Sequence, residues 1–393
     1  MTGAVRCVEL PREIHGFYRR RAMNRREALL SIAGGLPASI LGPCFLGTLA
    51  KPSRSQAAKK TALGVCIHSF GVRNSAERSS RAAKAFDEPL NFLEYCRKLG
   101  AGGVQVALGV RDKAYTSELR KRAEHGEMFV EGIAALPRDK ADLGRFEAGV
   151  RTAKAAGADV IRVVMIPGRR YERFESAEQF HEYAKKGLKS LQLAEPVAAR
   201  HHIRLAIENH KDQRINERLE VLKRLSSEYV GICVDTGNSI ALLEEPMEVV
   251  KAYAPWAFSA HLKDMAVREY NEGFLLSEVP LGEGFLDLSR MVEVLRRAQP
   301  AVRFSLEMIT RDPLRVPCLT EKYWATFPRV PGRDLAHTLA MVRANASGGP
   351  LPRVSGLSLD QKIRREEDNV KKCLAFAARL RLAAPRRGEH LNL

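Results

Sequence analysis

Four short stretches set a ligand-type side chain directly behind apolar residues: Ile207-Glu208-Asn209-His210, Val234-Asp235-Thr236-Gly237-Asn238, Ala260-His261-Leu262-Lys263-Asp264 and Leu306-Glu307-Met308. Glu208, Asp235, His261 and Glu307 together offer three carboxylates and one imidazole, an oxygen-rich, borderline-hard donor set suited to one divalent ion. Mn²⁺ fits such a set best, with Mg²⁺, Co²⁺ or Zn²⁺ as alternatives. A metal held this way polarises a carbonyl and the neighbouring hydroxyl of a keto sugar, so that a carboxylate can take the proton between them and leave a cis-enediolate. Return of the proton by a second carboxylate on the opposite face is epimerisation, and Glu208 and Glu307 are the natural pair. Loss of a β-hydroxyl from the same intermediate is dehydration, so one constellation serves an isomerase or a lyase. Taken singly, each residue has a plainer use, as a helix cap or a hydrogen-bonded core side chain. Their recurrence, each behind three or four strand-like residues, favours a joint role.

For the four to meet, their strands must lie side by side. From residue 62 onward, β-branched runs alternate with amphipathic segments, the rhythm of repeated βα units. Eight strands are expected: 63–68, 103–107, 128–134, 160–166, 204–208, 230–235, 258–262 and 303–308. Between them lie helical segments over 90–99, 146–156, 180–200, 218–225, 246–253 and 288–298. Eight units in about 250 residues match a (β/α)8 TIM barrel, whose site lies at the carboxyl ends of its strands. A doubly wound sheet would need a Gly-rich phosphate turn after its first strand, and none follows Ile67. Because strand residues two apart share a face, His210 and Lys263 should accompany Glu208 and His261 toward substrate. His68, Gln105 and Glu131 lie near the ends of the first three strands and are expected to line the rest of the rim. Gly282-Glu283-Gly284 reads as a rim loop and lacks the Lys-Ser/Thr of a P-loop. Past residue 311 the rhythm breaks into a Pro-rich aromatic loop, a helix near 334–344 and a charged helix near 358–382. The apolar stripe of that last helix (Ile363, Val370, Leu374, Leu380) is expected to pack on the body, with a homo-oligomer contact as its other use.

Over residues 62–310 the chain resembles the sugar phosphate isomerase/epimerase family with the xylose-isomerase-like barrel, which includes D-tagatose 3-epimerase and inosose dehydratase. The resemblance rests on the four-ligand pattern and on the segments around Glu208-Asn209-His210, His261-Leu262-Lys263-Asp264 and Gly282-Glu283-Gly284-Phe285. It implies metal coordination by Glu208, Asp235, His261 and Glu307, with Glu208 and Glu307 as the acid/base groups of an epimerase. Where the ketose epimerases carry a substrate-binding His three residues after the Asp, this chain has Asn238, which becomes the candidate there. Where they carry an Arg six residues after the metal His it has Val267, followed by Arg268, and the Glu expected six after the first ligand is Arg214. These departures leave the metal set intact and make a sugar acid, an inosose or a keto-glycoside as plausible a substrate as a free ketose. A metal-dependent dehydratase or lyase is therefore the first alternative, and a non-catalytic exported sugar-binding barrel the second.

The chain has 393 residues and a net charge of +18, a balance that taken alone points to nucleic acid or an anionic membrane. The excess sits at the ends: residues 1–60 carry 11 basic and 3 acidic side chains, residues 311–393 carry 16 and 8, and the stretch between carries 37 and 35. A nearly neutral barrel lacks the basic groove that phosphate contacts require, which argues against an endonuclease IV-like use of the fold and for a small carbohydrate substrate. No apolar run long enough to span a membrane is free of Gly, Pro and charge. Seven cysteines without a C-x-x-C pair read as neither a zinc ribbon nor a disulfide framework. Arg25-Arg26 directly before the weakly apolar stretch 28–49 resembles a twin-arginine export signal, with Met23 read as the start and cleavage near Ala57 or Ala58. The expected organisation is a leader over 1–58, the barrel over 59–330 and a helical extension over 331–393, exported by the twin-arginine translocase to the periplasm.

Overall fold

A computed structural model describes residues 60–79, 86–380 and 382. The leader and its export signal lie outside these residues. In chain order the strands are β1 (Gly64–Cys66), β2 (Gly103–Val106), β3 (Phe129–Ile133), β4 (Val160–Val163), β5 (Arg204–Glu208), β6 (Val230–Asp235), β7 (Ala257–Leu262), β8 (Asp264–Tyr270), β9 (Gly273–Val279), β10 (Arg303–Leu306) and β11 (Leu314–Val316). Strands β1 to β7 and β10 pair in parallel and close into a barrel in which β10 sits between β7 and β1. The eight expected strands are these eight, and the expected TIM barrel is the fold. Each is buried on both faces, as a parallel sheet wrapped in helices must be, which explains why they read as continuous apolar runs.

The strand ends are shorter than expected where the chain turns into the rim. Ile67–Phe70 is a single 3₁₀ turn rather than strand. There the Ser69 hydroxyl donates to Leu306 O at 2.9 Å and accepts from Met308 N at 3.1 Å, tying the exit of β1 to the exit of β10. The far end of the barrel is closed by Phe129: a Cβ at Gly64 or Gly103 would lie 2.4 Å from its ring, so both positions must lack a side chain.

Two features were not expected from the sequence. A helix at Lys113–His125 connects β2 and β3; it buries only Thr116, Leu119 and Ala123, too thin a stripe to stand out among its charges. Strands β11, β9 and β8 form a second, antiparallel sheet within what reads as rim loop. Its inner face joins Ile240, Leu242, Met265, Phe274, Leu276, Tyr323 and Phe327 in a separate apolar cluster. The helix Leu359–Ala377 packs against the barrel core through Val370, Cys373, Leu374 and Ala377. Glu366 fixes it by accepting the backbone N–H groups of Val72 (2.7 Å) and Arg73 (3.0 Å), just past the turn that carries His68. All five cysteines among the described residues are free and buried, as small hydrophobes.

Candidate metal centre

Register brings the four ligand positions together. Glu208 is level with Cys233, two residues below Asp235; Asp235 is level with His261; and His261 is level with Ser305, two below Glu307. All four therefore point to the barrel axis at one end. Side-chain hydrogen bonds then set their rotamers. Asn209 acts as a rung between β5 and β6: its Nδ2 donates to Asp235 O at 3.0 Å and its Oδ1 accepts from Asp235 N at 2.7 Å. The Asp235 Oδ1 accepts from Gly237 N (2.9 Å) and Asn238 N (2.8 Å), leaving Oδ2 toward the centre. Gln105 donates its Nε2 to Glu131 Oε2 at 3.0 Å, which fixes its carbonyl oxygen toward His261 Nε2 at 2.8 Å. The imidazole then carries its proton on Nε2 and keeps the Nδ1 lone pair for the centre. Glu307 is held from both sides, by His68 Nδ1 at 2.9 Å from Oε1 and by Lys263 Nζ at 2.7 Å from Oε2.

One donor atom from each of Glu208, Asp235, His261 and Glu307 lies within 4.8 Å of every other. His261 Nδ1 is 3.9 Å from Glu208 Oε1, 3.8 Å from Asp235 Oδ2 and 3.5 Å from Glu307 Oε2. Donors about 2.1 Å from a shared ion sit roughly 3–4 Å apart, so the spacing fits a divalent cation. Two of the atoms, Asp235 Oδ2 and His261 Nδ1, are fully buried and have no hydrogen-bond partner, the condition of a ligand atom rather than of a structural one.

Three carboxylates in one buried space repel one another, and the structure offsets this with cations. Burial opposes ionisation of Glu208, but the Arg162 guanidinium bonded to it outweighs burial and holds the carboxyl below its usual range. Burial likewise opposes ionisation of Glu307, and the Lys263 ammonium beside it reverses this, leaving the group well below the normal value. For Asp235 burial prevails over Lys263, and the carboxyl is pushed up. A divalent ion would supply the charge that Asp235 lacks.

Of the residues expected around the ligands, Lys263, Asn238 and His68 touch them. Lys263 lies 3.2 Å from Asp235 Oδ2, Asn238 Nδ2 donates to Glu208 Oε1 at 3.1 Å, and His68, half-exposed, stands beside Glu307 at the open side. Gln105 and Glu131 lie deeper than the rim position expected of them: both are fully buried and orient His261. His210 is turned to the Gly168 carbonyl at 3.0 Å, because β5 ends at Glu208 and its alternation does not reach residue 210. Arg214 is engaged with Glu244 and Asp334 and Arg268 reaches the Gly349 carbonyl, while Asn238 stands within the centre.

Sequence reasoning missed Arg162, Lys211, Asn209 and Glu278. Arg162 had a signal, a charge within the otherwise apolar Val160-Ile161-Arg162-Val163 strand. Lys211 follows a ligand segment, and its Nζ donates to Asn238 Oδ1. Glu278 reaches the mouth only because β9 exists, and the Arg311 guanidinium is bonded to it. The Gly282-Glu283-Gly284 loop is anchored by Asp264, whose carboxylate accepts the N–H groups of Gly282 (2.8 Å), Gly284 (3.0 Å) and Leu286 (3.2 Å). A Cβ at Gly284 would lie 2.1 Å from the Asp264 carboxylate, so the loop closes only with glycine there.

The family comparison agrees with this architecture. Residues 132–326 match the family model of the xylose isomerase-like TIM barrel. The 3-oxo-isoapionate decarboxylase of Pectobacterium atrosepticum is 29% identical over 227 residues, which cover 55% of this chain and 77% of that protein. Among solved structures, an L-ribulose 3-epimerase is similar at 14% identity over 81% of this chain and 95% of its own, with a TM-score of 0.49. A xylose isomerase-like TIM barrel protein from Mycobacterium smegmatis in complex with magnesium is similar at 14% identity over 71% of this chain and 98% of its own, also with a TM-score of 0.49. The closed eight-stranded parallel barrel makes the chain a TIM barrel, and the stretch from β3 to the segment past β11 is similar to the xylose isomerase-like members of that fold.

Proposed function

We propose that the protein is a metal-dependent enzyme that moves a proton next to a carbonyl of a keto sugar or sugar derivative, in the manner of a sugar isomerase or epimerase. The observation that carries this reading is the set of four buried donor atoms, two of which make no hydrogen bond. Glu208, Asp235, His261 and Glu307 would hold the ion, and when bound it supplies Lewis-acid polarisation of the carbonyl. Glu208 and Glu307 enter from β5 and β10, on different sides of the barrel mouth, so a substrate between them presents one face to each. One carboxylate takes the proton from the carbon beside the carbonyl, and the electron pair of the broken C–H bond moves toward the carbonyl oxygen. The other returns a proton to the opposite face. Lys263 and Arg162 keep the two carboxylates ionised and therefore able to act as bases. His68, hydrogen-bonded to Glu307 and half-exposed, can relay that proton to solvent.

The second reading is a lyase, in which the same enediolate expels a neighbouring group instead of regaining its proton. The similarity to a protein named as a decarboxylase of a 3-oxo acid supports it, because loss of CO2 beside a carbonyl also leaves electrons on that carbonyl oxygen. Incubation of the metal-loaded protein with a panel of keto sugars and keto acids in D2O separates the readings. Deuterium beside a carbonyl without loss of water or CO2 is the isomerase result, and loss of either is the lyase result. Absence of exchange and of mass loss across a broad panel contradicts both and leaves a sugar-binding barrel.

A further inference from the structure

The mouth of the barrel holds a buried lysine that the chemistry just described does not use. Lys211 is 3% exposed. Among the described residues it has no carboxylate in ion-pair range, and its Nζ donates to the neutral side-chain oxygen of Asn238. Lys263 Nζ approaches that same oxygen to 3.2 Å. Two ammonium groups thus converge on one amide oxygen. Lys263 is matched by Glu307 at 2.7 Å and Asp235 at 3.2 Å, whereas no carboxylate among the described residues lies within ion-pair distance of Lys211. A lysine taken out of water without a counter-ion is costly and is retained where something else brings the charge.

The charge around it points the same way. The carboxylates at the mouth are Glu208, Asp235, Glu307 and Glu278, and the basic side chains are Arg162, Lys211, Lys263 and Arg311, four of each. A divalent ion on three of those carboxylates leaves the loaded mouth with a net positive charge, even if the deeper Glu131 is ionised and before His68 is counted. A neutral sugar leaves that excess in place, and an anionic one removes it. Burial and the neighbouring Lys263 pull the Lys211 ammonium down to about 8, so it is charged at neutral pH but only weakly held so.

The geometry points to Lys211, beside Asn238 and Lys263, as the anchor for a carboxylate of the substrate, which makes the substrate a keto sugar acid rather than a neutral ketose. This rests on the metal reading of the centre and assigns a specificity role to a residue outside the ligand set.

The test is calorimetry on the full chain. Mn²⁺ is titrated first, then D-gluconate, its neutral counterpart D-sorbitol, and D-sorbitol 6-phosphate, into wild type, Lys211→Met and Lys211→Arg. The expected result is one bound Mn²⁺ in all three proteins and gluconate binding at least about tenfold tighter than sorbitol in wild type. That preference should be lost in Lys211→Met, kept in Lys211→Arg, and should fade in wild type as pH rises through about 8. Burial is the main cause of that value, and Lys263, Glu278, Arg311 and Asp235 are the charged groups that act on Lys211 beside it. Equal binding of gluconate and sorbitol, or a preference that survives Lys211→Met, overturns the inference while the metal reading stands. Tighter binding of the phosphate ester overturns the carboxylate assignment. Failure to bind Mn²⁺ removes the metal reading and the inference with it. Should Lys211→Met not fold, the wild-type comparison and its pH dependence decide alone.

Discussion

The division of labour inside the centre is set by single side chains. Glu307 is the most heavily supported of the candidate ligands, with His68 on one oxygen and Lys263 on the other, and in the proposed chemistry it is the group that exchanges protons with solvent. Glu307→Gln keeps the shape and one donor oxygen but removes the base, so solvent deuterium incorporation into a turned-over substrate should fall by about 10²–10⁴-fold; a rate within about threefold of wild type contradicts its role. Gln105 touches no substrate and acts through His261. Gln105→Ala frees the imidazole to rotate or change tautomer, and metal affinity measured by competition with a chelator should weaken by about 10–100-fold. The four converging positions were legible in the sequence because each closes an apolar strand with a residue type that rarely ends one without cause. Arg162, Lys211 and Asn209 were not, because nothing local says that an arginine on β4 will meet a glutamate on β5 or that an amide will bridge two strands. His210 shows the opposite error: alternation was extended past the last residue that obeys it.

At the scale of elements, parallel strands were readable and antiparallel ones were not. A barrel strand is apolar on both faces and so stands out, as β5 and β6 did to the residue. Strands β8 and β9 carry Asp264, Arg268, Glu269, Ser277 and Glu278 among their apolar positions, since only Met265, Val267, Phe274 and Leu276 on one face join the apolar cluster. The helix Ile215–Leu225 adjoins another such mixed region. Its first residue donates its N–H to Glu244 at 2.9 Å, and the carboxylate also lies 3.4 Å from Arg214. Burial nevertheless pushes Glu244 up to about 7, because its second oxygen has no partner. The folded chain therefore holds this proton more tightly than the unfolded chain, and the group's contribution to stability, full below about 4.5, is lost as pH rises through about 7. Glu244→Gln keeps the acceptor and removes the charge. It should raise stability by about 1–3 kcal/mol at pH 8 and change it little at pH 5, read from denaturant unfolding at the two pH values. A gain of equal size at both would show that ionisation is not the cause.

Over the whole molecule, the net charge of +18 misleads and its distribution informs. The basic excess lies at the two ends of the chain, and the barrel presents a mouth where four carboxylates meet four cations. We propose that the basic leader with Arg25-Arg26 serves export across a membrane. Replacing both arginines with lysine should shift the protein from the exported to the cytoplasmic fraction of the cell, and an unchanged distribution contradicts the twin-arginine route. The barrel itself is the same with or without export, and it stands or falls as an enzyme on one ion. The direct measurement is elemental analysis of the full chain purified without chelator, alongside His261→Ala. The expected result is about one divalent ion per chain in wild type and a small fraction of that in the variant. Wild-type protein without a stoichiometric ion, or a His261→Ala chain that carries as much as wild type, contradicts the metal centre and the chemistry built on it.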